Sequence, residues 1–234
     1  MVFRALKFSW RRYRLAQNNI IQQCNVPTFT AGARSGVWTV SSEGLGPESI
    51  VYSFGVGDNI AWELALIEKY GLTVHAFDPT PACVAWIAQQ RLPNKFHFHP
   101  IGIAAHDGFC TFHLPRRGSR FNYIPAPADA LNVQQVEMPV KRLATLMVEL
   151  GHRQIDVLKM DIEGGEFAVL DDLLVAGIPA KQILVEFHHH FRGVGLGATV
   201  RAIRALNDAG YRIFDISDRG LEIALLRTSR PTGQ

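Results

Sequence analysis

Cysteine is scarce in this sequence, and no run of apolar residues is long enough to cross a membrane. The 234 residues include three cysteines, Cys24, Cys83 and Cys110, which form neither a CxxC pair nor a disulfide framework. No stretch approaches the roughly 18 apolar residues of a membrane-spanning helix. No apolar segment follows the basic start, so a secretory signal is not expected. These absences predict a protein of the reducing cytoplasm.

Acidic residues are also absent from the first 42 positions, which hold six of the 24 lysines and arginines. The remaining 18 basic residues stand against 21 acidic ones, so the rest of the chain carries a net charge of −3. A nucleic-acid-binding domain would carry a basic face across its body. The charge distribution therefore argues against a nucleic-acid partner.

Residues 2–17 have the spacing of an amphipathic helix. Apolar residues recur every three or four positions, and basic residues recur in the same way on the adjoining face. The apolar set is Phe3, Leu6, Trp10 and Tyr13, and the basic set is Arg4, Lys7, Arg11 and Arg14. We expect this helix to dock on the body with its basic face in water. Contact with a membrane surface through the helix is the alternative.

Strand and helix patterns alternate from Val37 onward. The predicted strands are 50–54, 72–77, 96–99, 109–114, 136–140, 155–161, 182–189, 211–216 and 221–227, and the predicted helices are 59–70, 82–90, 141–150, 166–177 and 199–210. Repeated β-α units indicate a mostly parallel sheet with helices on both faces. The turn SDRG between the last two strands predicts a hairpin, which adds an antiparallel strand.

The expected organisation has three parts. They are an amino-terminal helix and connector (1–36, with CNVPTFTAGARSG as the connector), one α/β domain (37–229) and a short tail (230–234). The oligomeric state is left open.

Polar residues and glycines follow several of the predicted strands, at the edge where ligands bind in open α/β sheets. They are Gly55, Val56, Gly57, Asp58 and Asn59 after the first strand, Asp78 and Pro79 after the second, Asp161 and Glu163 after the strand IDVLKM, and Glu186 and His188 after QILV. Because parallel strands end at the same edge, we expect these groups to line one rim.

The segment from Gly55 to Asp78 is typical of an adenine-nucleoside site. Two glycines allow a tight turn and close approach of the ligand, and Asp78 is placed to accept hydrogen bonds from both ribose hydroxyls. A dinucleotide site also needs a third small residue, but Ile60 stands there, and Asp58 would repel a pyrophosphate. A donor with an amino-acid tail and no phosphate fits better. The sequence therefore favours S-adenosylmethionine over NAD.

Four motifs occur in a fixed order: VYSFGVGDN, HAFDPTP, LKMDIEGGE and VEFH. In these motifs the chain resembles the FkbM-type methyltransferases, a class I group dependent on S-adenosylmethionine, over roughly Val37 to Arg227. The resemblance implies a Rossmann-like class I methyltransferase fold, with a mostly parallel seven-stranded sheet, an antiparallel last strand and helices on both faces. It also implies methyl transfer, mostly to hydroxyl oxygens of sugars or natural products. Gly165 departs from the alanine expected more often there.

The resemblance further implies a set of contacts with the methyl donor. Gly55, Gly57 and Asp78 would bind it, Asp58 and Asn59 would lie near its amino-acid end, Gly102, Ile103 and Ala104 would lie near its adenine, and Asp161 would stand by its methyl group.

A hydroxyl acceptor must lose its proton, and four residues are candidate general bases. They are Asp161, Glu163, Glu186 and His188. The sequence DIEG replaces the [DN]PPY signature of many amino-group methyltransferases, which favours an oxygen acceptor. Asp161 and Glu186 could instead hold magnesium, and this alternative ranks below direct general-base use.

The sequence leaves two alternative functions to consider. A non-catalytic nucleoside-binding module would need no acids at the strand ends, and an NAD-dependent oxidoreductase is disfavoured by the glycine loop.

His97 and His99 share a strand face and are expected to be structural. The segment 115–135 is predicted to be either a lid or a solvated loop, and its arginines, Arg116, Arg117 and Arg120, could meet an anionic acceptor.

Overall fold

The computed structural model describes residues 2–34, 36–113, 124–125, 135–191 and 193–228. Its helices are α1 (Val2–Ala16), α2 (Ala61–Tyr70), α3 (Pro81–Ile87), α4 (Leu143–Leu150), α5 (Glu166–Val175) and α6 (Leu196–Asp208). Its strands are β1 (Thr28–Ala33), β2 (Gly36–Ser41), β3 (Ile50–Phe54), β4 (Thr73–Phe77), β5 (Phe96–His99), β6 (Gly102–Ile103), β7 (Gly108–His113), β8 (Ile124–Pro125), β9 (Gln135–Lys141), β10 (Ile155–Met160), β11 (Ala180–Glu186), β12 (Tyr211–Ile216) and β13 (Glu222–Arg227).

Seven strands form the main sheet in the order β12–β13–β11–β10–β3–β4–β5. The pairs from β11 to β5 are parallel, and β13 is antiparallel to both β11 and β12. The predicted fold is therefore confirmed, including the closing hairpin and the antiparallel last strand. The predicted strands and helices of this sheet agree with the structure to within about three residues at each end.

The core lies on both faces of the main sheet, because neighbouring residues of each central strand point to opposite sides. Tyr52 and Leu158 pack in one apolar cluster, and Val51 and Val157 pack in the other. All six residues of β10 are buried. This two-sided burial explains why these strands read as continuous apolar runs in the sequence.

A second sheet stands apart from the main one, and the sequence did not predict it as a separate unit. Its order is β6–β9–β7–β8, and β7 pairs with β9 and β8 in antiparallel register. The strands predicted at 109–114 and 136–140 belong here. The residues of β9 alternate between more and less buried positions, as expected of an antiparallel strand with one wet face, whereas β7 has two exposed residues followed by four partly buried ones. The short pairing of β6 with β9 places Gly102 and Ile103 beside the rim of the main sheet.

Helix α1 is present, but the face that it turns toward the body is not the predicted one. Trp10 and Tyr13 are 57% and 60% exposed, whereas Leu15 is 1% exposed and belongs to the core. Ile20, just beyond the helix, is equally buried. The expected docking face was wrong because a 3.6-residue period fits several stripes of one helix, and Leu15 lies on a different stripe from the aromatics. Contact of α1 with a membrane surface stays a prediction.

The connector predicted at 24–36 contains a strand, which corrects that interpretation. Residues Thr28–Ala33 form β1, which pairs with β2 in an antiparallel hairpin. Just before it, the backbone N–H groups of Gln23 and Cys24 donate to the carbonyl of Ile213 in β12. The segment is rich in threonine and small residues, so its sequence has no clear strand pattern. It forms a strand because it pairs with β2 along its whole length. The domain boundary at residue 37 stays a prediction.

Within the described residues, none of the helices combines the length and the apolar character that crossing a membrane requires.

Four histidine rings pack together at the β4–β5 edge of the main sheet. The ring of His75 stacks on His97 and His99, with centroid distances of 5.0 and 5.3 Å, and meets His152 edge-on at 4.8 Å. One ring nitrogen also hydrogen-bonds another, since His75 Nδ1 and His99 Nε2 are 3.0 Å apart. The hydroxyl of Tyr52 pairs with His152 Nδ1 at 2.8 Å. These contacts support the predicted structural role of His97 and His99.

We expect the folded state to lose stability as the pH falls below about 6.5. Burial, helped by the charges that His152, His99 and His97 would carry, lowers the pKa of His75 to about 3. Burial also lowers the pKa values of His99 and His152. The unfolded chain then binds more protons, so each depressed histidine contributes a slope of at most about 1.4 kcal/mol per pH unit between its unfolded and folded pKa values.

Denaturant unfolding of the wild type between pH 7 and pH 4 measures this slope. His75→Phe keeps a stacked ring without the titration and should flatten the slope, whereas the exposed control His106→Gln should leave it unchanged. Identical slopes for wild type and His75→Phe would contradict the assignment.

Candidate active site

The strands β3 and β10 end side by side, and their ends are in direct contact at the rim. The N–H of Asp161 donates to the carbonyl of Phe54 at 3.1 Å. Gly55 follows Phe54 with a φ of +76°, and a Cβ built on it would fall 1.7 Å from the carbonyl oxygen of Asp161. Only glycine fits this crossing without displacing backbone. The predicted glycine turn and the predicted acid thus occupy one point of the rim.

Asp78 holds the glycine loop in place. One of its carboxylate oxygens accepts the N–H groups of Val56 and Gly57, at 3.0 and 2.9 Å. The other accepts the N–H and the hydroxyl of Thr80, at 2.9 and 2.7 Å. The side chain is buried and already has four donors, so its first role is to shape the loop. Its predicted role toward ribose hydroxyls stays a prediction.

The amino-terminal hairpin covers the outer side of the same loop. Asn59 Nδ2 donates to the carbonyl of Ala33 at 2.6 Å, and Asn59 Oδ1 accepts the N–H of Ala61, the first residue of α2. Arg34 lies 3.7 Å from the carboxylate of Asp58. Asp58 and Asn59, predicted to lie near the amino-acid end of the donor, therefore also join the loop to the hairpin.

Two cavities open on the two sides of the crossing between Gly55 and Asp161. The polar cavity, of about 470 Å³, carries most of the charged groups of the rim. It is lined by Gly36, Trp38, Gly55, Val56, Gly57, Asp58, Asn59, Trp62, Glu63, Asp78, Lys159, Asp161, Glu163, Glu186, His188 and Arg219. All four predicted base candidates face this space.

The apolar cavity, of about 340 Å³, lies toward β4 and the second sheet. It includes Phe54, Phe77, Pro79, Gly102, Ile103, Ala104, Cys110, Phe112 and Ile162, and it shares Gly55, Asp78, Asp161 and Glu163 with the polar cavity. A Cβ on Gly102 would lie 3.1 Å from Pro79 Cγ and 3.2 Å from Val140 Cγ1, so the absence of a side chain allows these residues to pack closely at the cavity wall. The residues predicted near an adenine thus line one apolar cavity.

The turn after β10 is fixed from inside by Glu166. This fully buried carboxylate accepts the N–H of Gly164 at 2.9 Å and the N–H of His188 at 2.7 Å. Glu163 adopts a left-handed backbone conformation, with φ of +51°, which a residue other than glycine adopts only when its surroundings hold it there. The motif DIEGGE is therefore a rigid turn that aims Asp161 and Glu163 at the polar cavity.

The surroundings of His188 favour its positively charged form. Burial lowers its pKa, but the hydrogen bond and charge of Glu166, with the charges of Asp161 and Glu163, outweigh burial and raise the pKa to about 9. Its Nε2 atom lies 3.7 Å from Asp161 and 3.4 Å from Glu163. A protonated imidazole cannot accept a further proton, so this charge favours the carboxylates over His188 as the base.

Glu186 differs from Asp161 in its surroundings. Burial, together with the charges of Asp161 and Glu222, raises the pKa of Glu186 to about 8, although Arg219 and His188 act against this. Arg219 Nη2 donates to Glu186 at 2.8 Å. Arg219 therefore occupies Glu186, and the surroundings of Glu186 favour its protonated form, whereas Asp161 has no such partner arginine among the described residues and is more exposed, which makes it the stronger candidate base.

Three of these groups also satisfy the geometry of a metal site. Asp161, Glu186 and His188 each place one ligand atom within 4.8 Å of the others. A divalent cation would need Glu186 ionised and His188 neutral, whereas burial and the neighbouring charges favour the opposite protonation of both. Magnesium thus remains the less favoured alternative for this rim.

A family model described as Methyltransferase FkbM domain matches residues 50–213, more than half of the chain. The chain belongs to the FkbM methyltransferase family. Membership of this family implies S-adenosylmethionine as the methyl donor. It also agrees with the class I arrangement of the seven-stranded sheet.

Individual relatives of this FkbM-family chain are distant. It is 27% identical over 146 residues to the human "Probable methyltransferase-like protein 24", which covers 61% of this chain and 33% of that protein. The chain therefore spans about a third of the length of this relative. It is 24% identical over 227 residues to the "31-O-demethyl-FK506 methyltransferase FkbM" of Streptomyces tacrolimicus, covering 81% and 84% of the two chains. The crystal structure of methyltransferase FkbM from Methylobacillus flagellatus is 12% identical, with a TM-score of 0.48 and coverage of 78% and 44%.

The site of this FkbM-family chain fits S-adenosylmethionine. The apolar cavity offers space for adenine, and the polar cavity offers charged groups for an amino-acid end, on either side of the crossing at Gly55. Sequence reasoning missed six lining residues of the polar cavity, which are Gly36, Trp38, Trp62, Glu63, Lys159 and Arg219. Lys159 lies within the motif LKMDIEGGE, and the other five lie outside the motifs and face the cavity only through the fold. The arginines predicted at 116, 117 and 120 lie outside the described residues.

Proposed function

We propose that the protein transfers a methyl group from S-adenosylmethionine to a hydroxyl oxygen of a sugar or another small metabolite. The observation that carries this proposal is the position of Asp161. Its side chain lines both cavities and is 31% exposed, so it lies where the donor and an acceptor would meet. The absence of the [DN]PPY motif supports oxygen over nitrogen as the atom that is methylated.

The protein groups of this site have separate tasks in the proposed reaction. S-adenosylmethionine supplies a methyl group that its sulfonium has already activated. The rim aligns the acceptor hydroxyl with that group, and alignment is the largest contribution that a protein makes to such a displacement. The Asp161 carboxylate accepts the hydroxyl proton, which becomes strongly acidic as the oxygen gains its new bond. His188, held by Glu166, lies 3.7 Å from the Asp161 carboxylate and orients that side of the rim.

Other functions have less support from the site. A non-catalytic nucleoside-binding module would not need the rigid turn that aims Asp161 and Glu163 into a cavity. An NAD-dependent oxidoreductase would place a pyrophosphate beside the carboxylate of Asp58 and the buried Ile60. A small molecule with a hydroxyl group is the partner that we propose, and the cytoplasm is the proposed location.

We expect calorimetric titration to show saturable binding of S-adenosylmethionine and S-adenosylhomocysteine, and none of NAD at the same concentrations. The reason is that the glycine loop has no third small residue and carries Asp58 at the position of a pyrophosphate. A screen of hydroxylated acceptors and their amine counterparts, read by release of S-adenosylhomocysteine, then tests the choice of oxygen. Saturable binding of NAD without binding of S-adenosylmethionine would overturn the proposed function.

A further inference from the structure

The polar cavity contains two buried groups of opposite charge that have no ionic partner within the part of the chain that the structure describes. Glu63, in the first turn of α2, is 1% exposed, and Lys159, in β10, is 4% exposed. Both line the polar cavity beside the glycine loop. Among the described residues, neither has an oppositely charged side chain within 4.0 Å, so they do not pair with each other or with a neighbour.

The hydrogen bonds of the Glu63 carboxylate are incomplete. Its Oε1 atom accepts the hydroxyl of Ser53 at 2.6 Å. Its Oε2 atom is buried and has no hydrogen-bond partner. A buried carboxylate oxygen without a donor is costly, because the group has lost its water and gained nothing in return. The position calls for a donor that the described residues do not supply.

Lys159 and Trp62 bring a positive charge and a hydrogen-bond donor to the same cavity. Lys159 Nζ donates to the carbonyls of Phe54 and Gly55, at 3.3 and 2.8 Å, and lies 5.4 Å from the centre of the Trp38 ring. Neutral carbonyls and a ring leave the charge of the ammonium without a counter-ion. Next to Glu63 in sequence, Trp62 Nε1 is a buried donor with no acceptor. Among the described residues, Glu63 therefore brings an unmet acceptor to the cavity, Trp62 an unmet donor and Lys159 an uncompensated cation.

We propose that Glu63, Lys159 and Trp62 form the site for the zwitterionic amino-acid end of the methyl donor. The donor's ammonium binds Glu63 Oε2, and its carboxylate binds Lys159 Nζ and Trp62 Nε1. Only a ligand that carries both charges satisfies all three groups at once, and charge-assisted hydrogen bonds of this kind are the strong ones. The amino end of α2 adds donors on the side of the carboxylate. This proposal rests on S-adenosylmethionine being the donor, as proposed above.

The alternatives for this cavity fit less well. A phosphate group would satisfy Lys159 but would lie against the carboxylates of Glu63 and Asp58. A metal ion would satisfy Glu63 but would be repelled by Lys159. The combination of charges thus selects an amino acid rather than either of these.

Two adenosine ligands separate this site from the rest of the donor pocket. S-adenosylhomocysteine carries the amino-acid end, and 5′-methylthioadenosine lacks it. We expect Glu63→Gln and Lys159→Met each to weaken S-adenosylhomocysteine by about 10- to 100-fold in calorimetry, since each loses a charge-assisted hydrogen bond. Binding of 5′-methylthioadenosine should stay within twofold of the wild type. Trp62→Phe should show the same selectivity with a smaller loss.

The exposed Glu68 of α2 supplies a matched control, and Glu68→Gln should bind both ligands as the wild type does. Retained binding of 5′-methylthioadenosine shows in the same experiment that a variant is folded. The proposal is overturned if the variants bind S-adenosylhomocysteine as tightly as the wild type, or if they lose both ligands equally. Equal affinity of the wild type for the two ligands overturns this proposal alone. Failure of the wild type to bind either ligand overturns the proposed function as well.

Discussion

Asp161→Asn is expected to lower the rate of methyl transfer about 10²- to 10⁴-fold, the usual contribution of a general base, while the donor still binds. The amide keeps the shape of the side chain but cannot accept the hydroxyl proton. The backbone of Asp161, which contacts Gly55 and Phe54, is unchanged, so the glycine loop should keep its conformation. Single-turnover rates with an accepted hydroxyl compound, together with the dissociation constant of S-adenosylhomocysteine, measure the two effects separately.

Three further measurements decide what Asp161 does. The exposed Asp171→Asn in α5 is the matched control and should retain full activity. Glu186→Gln and a chelator test the metal alternative, because a magnesium site would lose activity with chelator and regain it with added magnesium. We expect indifference to chelator. Full activity of Asp161→Asn would move the base elsewhere, with Glu163 as the next candidate.

Gly55→Ala should abolish donor binding and lower the melting temperature. The added methyl group would lie 1.7 Å from the carbonyl oxygen of Asp161, so the ends of β3 and β10 must separate. Overpacking of this kind costs about 1–3 kcal/mol, and the left-handed conformation of a residue with a Cβ adds about 1–2 kcal/mol. Both cavities meet at this crossing, so the damage falls on the binding site as well as on stability.

Gly44 provides the control for this experiment. It also has a left-handed backbone, with φ of +69°, but a Cβ there would meet no atom within 4 Å. Gly44→Ala should therefore lose only the conformational part of the stability and should bind the donor normally. Thermal unfolding and calorimetry of the two variants separate the effect of the left-handed backbone from the effect of the steric overlap with Asp161. Wild-type binding by Gly55→Ala would show that the rim opens more easily than its contacts indicate.

The parts of the fold that the sequence predicted are those in which local pattern and burial agree. The apolar strand 50–54 and the helix that ends at Gly71 have the periods that their environments require, and Gly71 indeed adopts the left-handed cap conformation. The motif residues Gly55 and Asp161 were predicted to line one rim because parallel strands end at one edge. That argument needs only that the strands are parallel, which the alternation of strands and helices predicts.

The parts that escaped prediction depend on which neighbour a residue meets. Glu63 looks like an ordinary acid in the first turn of a helix, and Lys159 looks like an exception in an apolar strand. Their lack of partners exists only in three dimensions. The orientation of α1 could not be predicted for the same reason. Several faces of this helix carry apolar residues, and only the packing in the folded protein shows that the face with Leu15 is buried.

The position of β13 has a consequence for how the chain folds during its synthesis. This strand is the last of the main sheet in sequence, yet it lies between β11 and β12, and the turn before it carries Arg219 to the rim. A ribosome that has released residues up to β12 has therefore delivered an edge, β11, that still awaits its neighbour. Such an unpaired edge attracts other strands, and long-range pairings form late in folding. Completion of the sheet and completion of the active site are thus one event, and it occurs only after β13 has been synthesised.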